Sequence, residues 1–284
     1  MTSPEDVVSI DWIDDAHWLI ASAGPHDVSA RLFELPAERE RDRVVLGAPR
    51  EIVLVGDTCP QPSSMYWARM VSVDTFMTTR DCNGSRSELL FVGLRTGRVD
   101  RAVAVNGLWV SLSSAEPSGY VGLVGECRRI EQLTPQGSKR INAEVSVGKL
   151  RWNLDDHSCS DSVGLVEYPS VLPSGGVVFR AGARYSPLTE DQPPQTLFFW
   201  DGASPRAVAW REGITTVGTT VVAHRSDTVA LTIERGGKNH TELIGSANKH
   251  NTIYTGPRTA ESWAPDDAML IVHDKTGADV LVRK

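Results

Sequence analysis

Seven histidines, three adjacent carboxylate pairs and four cysteines are the residues of this 284-residue chain whose types could do chemistry. The histidines, at 17, 26, 157, 224, 240, 250 and 273, show no H-E-X-X-H or comparable ligand spacing, so a metal site would have to be assembled from distant segments. The carboxylate pairs Asp14-Asp15, Asp155-Asp156 and Asp266-Asp267 could in principle serve glycoside hydrolysis, which sets two acids about 5 to 10 Å apart across a sugar bond. No G-X-S-X-G elbow, Walker loop or dinucleotide glycine motif is present, and Ser174-Gly175-Gly176 and Gly236-Gly237 read as turns. The sequence therefore assigns no catalytic, cofactor-binding or metal-ligating residue and calls for no cofactor. It leans away from an enzyme.

Short apolar or alternating runs have to position whatever chemistry there is. Ala16 to Ala21, Val28 to Leu35, Glu88 to Leu94, Tyr120 to Gly125, Gln195 to Trp200, Thr228 to Ile233 and Ala268 to His273 are separated by Gly, Pro, Asn, Asp and Ser. Period-two runs of this length with turn residues between them predict an all-β chain. Hydrophobic residues make up 40% and charged residues 23%, enough apolar side chain for a substantial core. The formal net charge of -7 provides no diffuse positive field for phosphates, which argues against nucleic acid as a partner. No run approaches the ~20 apolar residues of a membrane-spanning helix.

The two chain ends carry an internal repeat. Asp11-Trp12-Ile13-Asp14-Asp15-Ala16-His17-Trp18-Leu19-Ile20 aligns without a gap to Ser262-Trp263-Ala264-Pro265-Asp266-Asp267-Ala268-Met269-Leu270-Ile271. The shared positions are Trp12 with Trp263, Asp15 with Asp266, and the Leu-Ile pair. A weaker third copy, His224-Arg225-Ser226-Asp227 with Leu231, sets His in the Trp position. The spacing predicts a hairpin: a strand ending in a buried aromatic, a turn made by Asp, and an apolar strand returning through the core. Continuing from these hairpins gives a single β-propeller over residues 1–284, of about six four-stranded blades, with seven possible. The blades fall near 7–56, 63–106, 107–147, 161–210, 214–255 and 258–284, close to the ~40 to 50 residues of propeller repeats. The last has three evident strands, which leaves an edge to be covered by the N-terminal residues or by a segment upstream of them.

The stretch from Trp263 to Val282, with its Trp-Ala-Pro-Asp-Asp turn and Asp274-Lys275-Thr276-Gly277 turn between apolar strands, resembles the repeat of TolB-like propellers. That repeat typically reads Trp-Ser-Pro-Asp-Gly, an apolar strand, an Asp-X-X-Gly turn and a second strand. The resemblance covers the last blade well, the first moderately and the others by strand rhythm. It implies a WD-repeat-like, exported fold used as a docking surface or envelope appendage, as in the propeller domain of LpqB-type lipoproteins.

Cys59, Cys82, Cys127 and Cys159 fall at the same ends of neighbouring strands. Of the three possible pairings, Cys59 with Cys82 and Cys127 with Cys159 demand the least chain travel, each closing a loop worth ~3 kcal/mol in the loop-entropy account. Disulfides would point to an oxidising compartment, whereas four reduced thiols would fit the cytosol. The opening Met1-Thr2-Ser3-Pro4 reads as a cut made after an export signal or anchor. The expected location is thus extracytoplasmic: periplasmic, cell-envelope or secreted. Trp152, followed by Asp155, Asp156 and His157, is the interaction candidate among the tryptophans and acidic clusters. The expected function is a non-catalytic docking domain for another protein or an envelope component. The alternatives are a glycan-active hydrolase or lyase with a site in the central channel, and a sensor domain of a longer membrane-anchored protein.

Overall fold

The alternation and the turn residues leave strands as the only regular structure that satisfies the backbone, and the computed structural model of the protein is all-β. It describes residues 6–23, 30–40, 43–56, 65–82, 86–105, 112–115, 119–124, 129–134, 137–142, 144–147, 150–153, 165–182, 196–208, 215–245, 249–274 and 277–283. The first sheet pairs β1 (Asp6–Asp14), β2 (His17–Ala23), β3 (Ala30–Glu40) and β4 (Arg43–Leu46) in order, with β5 (Arg50–Ile52) following β4 along β3. The second runs through β6 (Met65–Ser72), β7 (Thr75–Cys82), β8 (Arg86–Gly93) and β9 (Val99–Val105). The third runs through β10 (Leu112–Ala115), β11 (Gly119–Val124), β12 (Arg129–Thr134) and β13 (Gly137–Arg140). A separate hairpin follows, β14 (Glu144–Val147) with β15 (Leu150–Asn153). Then come β16 (Leu165–Val171), β17 (Val177–Gly182), β18 (Thr196–Trp200) and β19 (Arg206–Ala207). The next sheet holds β20 (Thr215–Val222), β21 (Thr228–Arg235), β22 (Lys238–Gly245) and β23 (His250–Thr255). The last is β24 (Thr259–Trp263), β25 (Met269–Asp274) and β26 (Gly277–Val282).

Among the described residues, five sheets carry four strands or more, which corrects the expected six four-stranded blades. The last sheet stops at three strands. The β14–β15 hairpin was not expected, although Glu144-Val145-Ser146-Val147 and Leu150-Arg151-Trp152-Asn153 both alternate on either side of Gly148-Lys149, a short hairpin signal.

The chain divides into two compact units, Met1–Leu108 with Glu261–Lys284, and Trp109–Ala260. In the first unit, period-two alternation splits β2 between two interfaces. Leu19 and Ala21, with Leu32 and Ile52, pack on Ala68, Phe76, Leu90 and Val92 of the second sheet. Trp18, with Ile10, Trp12 and Leu35, packs on Ala264, Met269 and Ile271 of the last sheet. The N- and C-terminal segments thus share one core. In the second unit, Val178, Leu197 and Phe199 pack on Val229, Leu231, Ile233 and Ile244. The Ser170 hydroxyl donates to the Thr220 carbonyl at 3.1 Å between β16 and β20, a directional bond beside that apolar contact.

The repeated hairpins are real, but the last carries one more residue than the first. In each, a carboxylate accepts the amide two residues on: Ala16 N to Asp14 Oδ1 at 2.7 Å, and Ala268 N to Asp266 Oδ1 at 2.9 Å. The next strand starts alike, Ala37 N donating to Ala16 O and Arg283 N to Ala268 O. Asp14-Asp15-Ala16 therefore corresponds to Asp266-Asp267-Ala268, and the ungapped alignment of Asp15 with Asp266 is one residue out. The same shift sets Leu19 and Leu270 on opposite faces, since a one-residue slip turns every side chain over. The tryptophans keep their correspondence: Trp12 pairs with Trp18 where Trp263 precedes Ala264, whose amide bonds Met269 O. In the third copy Ala223 N bonds Thr228 O in the same way, so the Trp position holds Val222, paired with Val229, and not His224.

Asp267 occupies a left-handed conformation, φ 61°, where the TolB-like repeat has Gly. An L-residue there costs about 1–2 kcal/mol, a cost that Asp and Gly bear better than other residues. Asp267→Ala is expected to lower unfolding free energy by about 1 kcal/mol more than Asp267→Gly in chemical denaturation.

Candidate functional site

Where the chain ends meet, polar side chains occupy positions that alternation turns inward. On β1, Ser9 Oγ accepts the Ala68 amide at 3.0 Å, and Asp11 Oδ2 accepts the Met70 amide at 2.7 Å. Asp11 Oδ1 accepts the Ser262 hydroxyl of β24 at 2.5 Å. Between the two amides it captures, β6 contributes Arg69, which donates Nη1 to Ile10 O at 2.9 Å and Nη2 to Glu261 Oε1 at 2.7 Å. His273 Nδ1 of β25 stands 3.6 Å from the other Glu261 oxygen. Asp11, Glu261 and Ser262 are buried. Burial disfavours the Arg69 charge, but the carboxylates of Glu261 and Asp11 outweigh it and hold the guanidinium above its ordinary pKa. One carboxylate and one guanidinium therefore join the opening strands of three sheets.

At the turn end of the same strands a second guanidinium gathers the repeat carboxylates. Arg39 donates Nη1 to Asp266 Oδ2 at 2.9 Å, and its Nη2 lies 3.3 Å from Asp15 Oδ1. Its plane stacks 4.9 Å from the centre of the Trp12 ring, which meets Trp18 edge to face at 5.4 Å. The Arg39 hydrogen bond holds the Asp266 carboxyl below the usual range, with burial opposing it. Asp14, the turn carboxylate of the first hairpin, also takes His17 Nδ1 at 2.9 Å. Trp12 and Trp263 are buried, and Arg283 lies 5.9 Å over the Trp263 ring. Of the repeat residues, Trp12, Asp15 and Asp266 are thus brought together by Arg39, while Trp263 is buried beside Arg283.

In the second unit Glu242 is buried on β22 and receives Arg235 Nη2 at 3.1 Å, with His250 Nδ1 at 3.2 Å. His240 Nδ1 lies 3.0 Å from the Thr255 hydroxyl. Among the described residues no group of three or more His, Cys, Asp or Glu is placed to hold a metal ion. Asp155, Asp156 and His157 lie outside the described residues, as do Cys59, Cys127 and Cys159. Cys82 is described only by its backbone, paired with Arg86 at the end of β7, and Trp152 by its backbone in β15, paired with Val145. Sequence reasoning missed Asp11, Arg39, Arg69 and Glu261. The available signal was a polar residue directly before each repeat tryptophan, Asp11 and Ser262, at a position whose neighbours are apolar.

No protein-family model matches the chain, and no curated protein matches it. Solved structures do. The TolB-type protein of Agrobacterium tumefaciens aligns with a TM-score of 0.62 at 13% identity over 99% of this chain and 92% of that one. The Cps50 (Swd1) β-propeller domain of Myceliophteria thermophila aligns at 0.52 and 10% identity over 100% and 99%. An oligogalacturonate lyase in complex with manganese aligns at 0.51 and 13% identity over 96% and 74%. The chain has the fold of the TolB-like and WD-repeat β-propellers, built from four-stranded antiparallel blades.

Removing one partner of a buried ion pair strands the other, at about 3–5 kcal/mol. Arg69→Ala is expected to cost that much, and Arg69→Ala/Glu261→Ala less than the sum of its single variants, in a denaturation double-mutant cycle. For Asp266 the folded pKa is depressed, so its contribution is full above the unfolded value and is lost as pH falls through the folded one. The stability difference between the native protein and Arg39→Gln should be constant above about pH 5 and shrink below about pH 4, leaving a pH-independent part from the Trp12 stack.

Proposed function

We propose that the protein is a non-catalytic β-propeller that works outside the cytoplasm as a docking domain for another protein or a cell-envelope component. The observation that carries this reading is the fate of its inward ionisable side chains. Arg69 with Glu261, Arg39 with Asp266 and Arg235 with Glu242 form ion pairs, and Asp11 accepts from the Met70 amide and the Ser262 hydroxyl. A general acid or base needs a group free to exchange its proton with substrate. These groups instead fix strands, which leaves recognition to loops and outer strands. The likeness of the C-terminal repeat to TolB-like and LpqB-type propellers supports the exported setting, and the four cysteines would suit it.

The second reading, a glycan-active lyase or hydrolase, draws on the likeness to the oligogalacturonate lyase structure, which is a complex with manganese. Two measurements separate the readings. Affinity capture from the native envelope with gentle crosslinking should retain one partner in stoichiometric amount. Incubation with oligogalacturonates and manganese should release no unsaturated product. Cleavage at a turnover above background, together with no retained partner, would overturn the docking reading.

A further inference from the structure

Aspartates in the turns of this fold bend back on the chain. Asp14 Oδ1 accepts the Ala16 amide at 2.7 Å, Asp266 Oδ1 that of Ala268 at 2.9 Å, and Asp201 Oδ1 that of Ala203 at 3.1 Å. In such a turn the carboxyl group spans the amide of the residue in between, which draws its carbon toward that nitrogen. The outcome depends on the intervening residue and on what else holds the carboxylate. Asp14 and Asp266 are each followed by an aspartate, and their carboxylates are also held by His17 and Arg39. Asp201 is followed by Gly202, the one Asp-Gly pair in the chain.

The turn around this pair leaves room for reaction. The β18–β19 ladder stops at Phe199 opposite Arg206, so both residues lie in the turn beyond it, and both are exposed. Gly202 adopts φ 103°, and among the described residues nothing lies within 4 Å of the place a Cβ would take. No side chain on residue 202 screens its nitrogen from the Asp201 carboxyl.

We propose that Asp201–Gly202 is a site of spontaneous backbone modification, where Asp201 converts to isoaspartate through a cyclic imide. The Gly202 nitrogen bonds to Cγ of Asp201. One carboxylate oxygen leaves as water, taking the amide proton and a second proton from solvent. Water then opens the imide and returns that second proton. Opening at Cγ restores aspartate. Opening at the main-chain carbonyl leaves the chain running through Cβ and Cγ, with the old carbonyl as a free carboxylate. The net change is an isomerisation, without oxidant or reductant and without change of charge. It adds one methylene to the main chain just before β19, whose Arg206 lies 5.9 Å over the Phe199 ring. The site is independent of the docking reading above.

The native protein, held for several weeks at neutral pH and physiological temperature beside the same chain unfolded in urea, tests the proposal. Electron-transfer fragmentation of the peptide that contains Asp201 reads isoaspartate as cleavage between Cα and Cβ. The native protein should convert at a rate within about tenfold of the unfolded chain, a barrier difference below ~1.4 kcal/mol. Asp201→Asn should convert faster, because its amide carries no negative charge to repel the nitrogen and ammonia leaves in place of water. Asp201→Glu keeps Gly202 but sets the carboxyl one methylene farther away, and should abolish the conversion at an unchanged melting temperature. A native protein that stays unconverted while the unfolded chain converts overturns the proposal, as does an isomer of this peptide that persists in Asp201→Glu.

Discussion

The first unit depends on the burial of Asp11 and Arg69. Within each sheet the ladder hydrogen bonds fix strand register, but between sheets the contacts are apolar and have no direction of their own. A buried carboxylate has no such freedom: without its partners it costs several kcal/mol. By taking the Met70 amide and the Ser262 hydroxyl at once, Asp11 sets β1 in one position relative to both β6 and β24. Arg69 does the same from β6, through Ile10 O and Glu261. The tryptophans and leucines behind them supply the larger burial, and the two ionic groups decide where that burial can occur.

That arrangement has a consequence for function. Among the described residues of the first unit, Asp11 and Glu261 are engaged by the Met70 amide, the Ser262 hydroxyl and Arg69, so these two acids serve to hold strands. The Arg39 cluster repeats the logic at the turn end, where one guanidinium reads both copies of the repeat by bonding Asp266 and meeting Asp15.

Much of the fold was legible because strand rhythm and turn residues are local properties. The three strands of the last sheet, the buried Trp12 and Trp263 and the hairpin turns all follow from nearest neighbours in sequence. The extra residue in the Trp263 turn was not legible, since Asp-Asp occurs in both copies and an ungapped match falls one position from the hydrogen-bonded one. Arg39 and Arg69 escaped for another reason. They lie 227 and 192 residues from Asp266 and Glu261, and nothing in a strand pattern distinguishes an arginine that reaches across sheets from one that reaches water.

Native-state hydrogen exchange on the amides of Ala68, Met70 and Ala264 tests the closure most directly, because the first two bond β1 side chains and the third belongs to the last sheet. The account predicts one shared opening free energy, equal to that of global unfolding, for all three. Exchange of Ala264 through a separate, lower-energy opening, with Ala68 and Met70 still protected, would contradict it and make the last sheet an appendage and not a keystone.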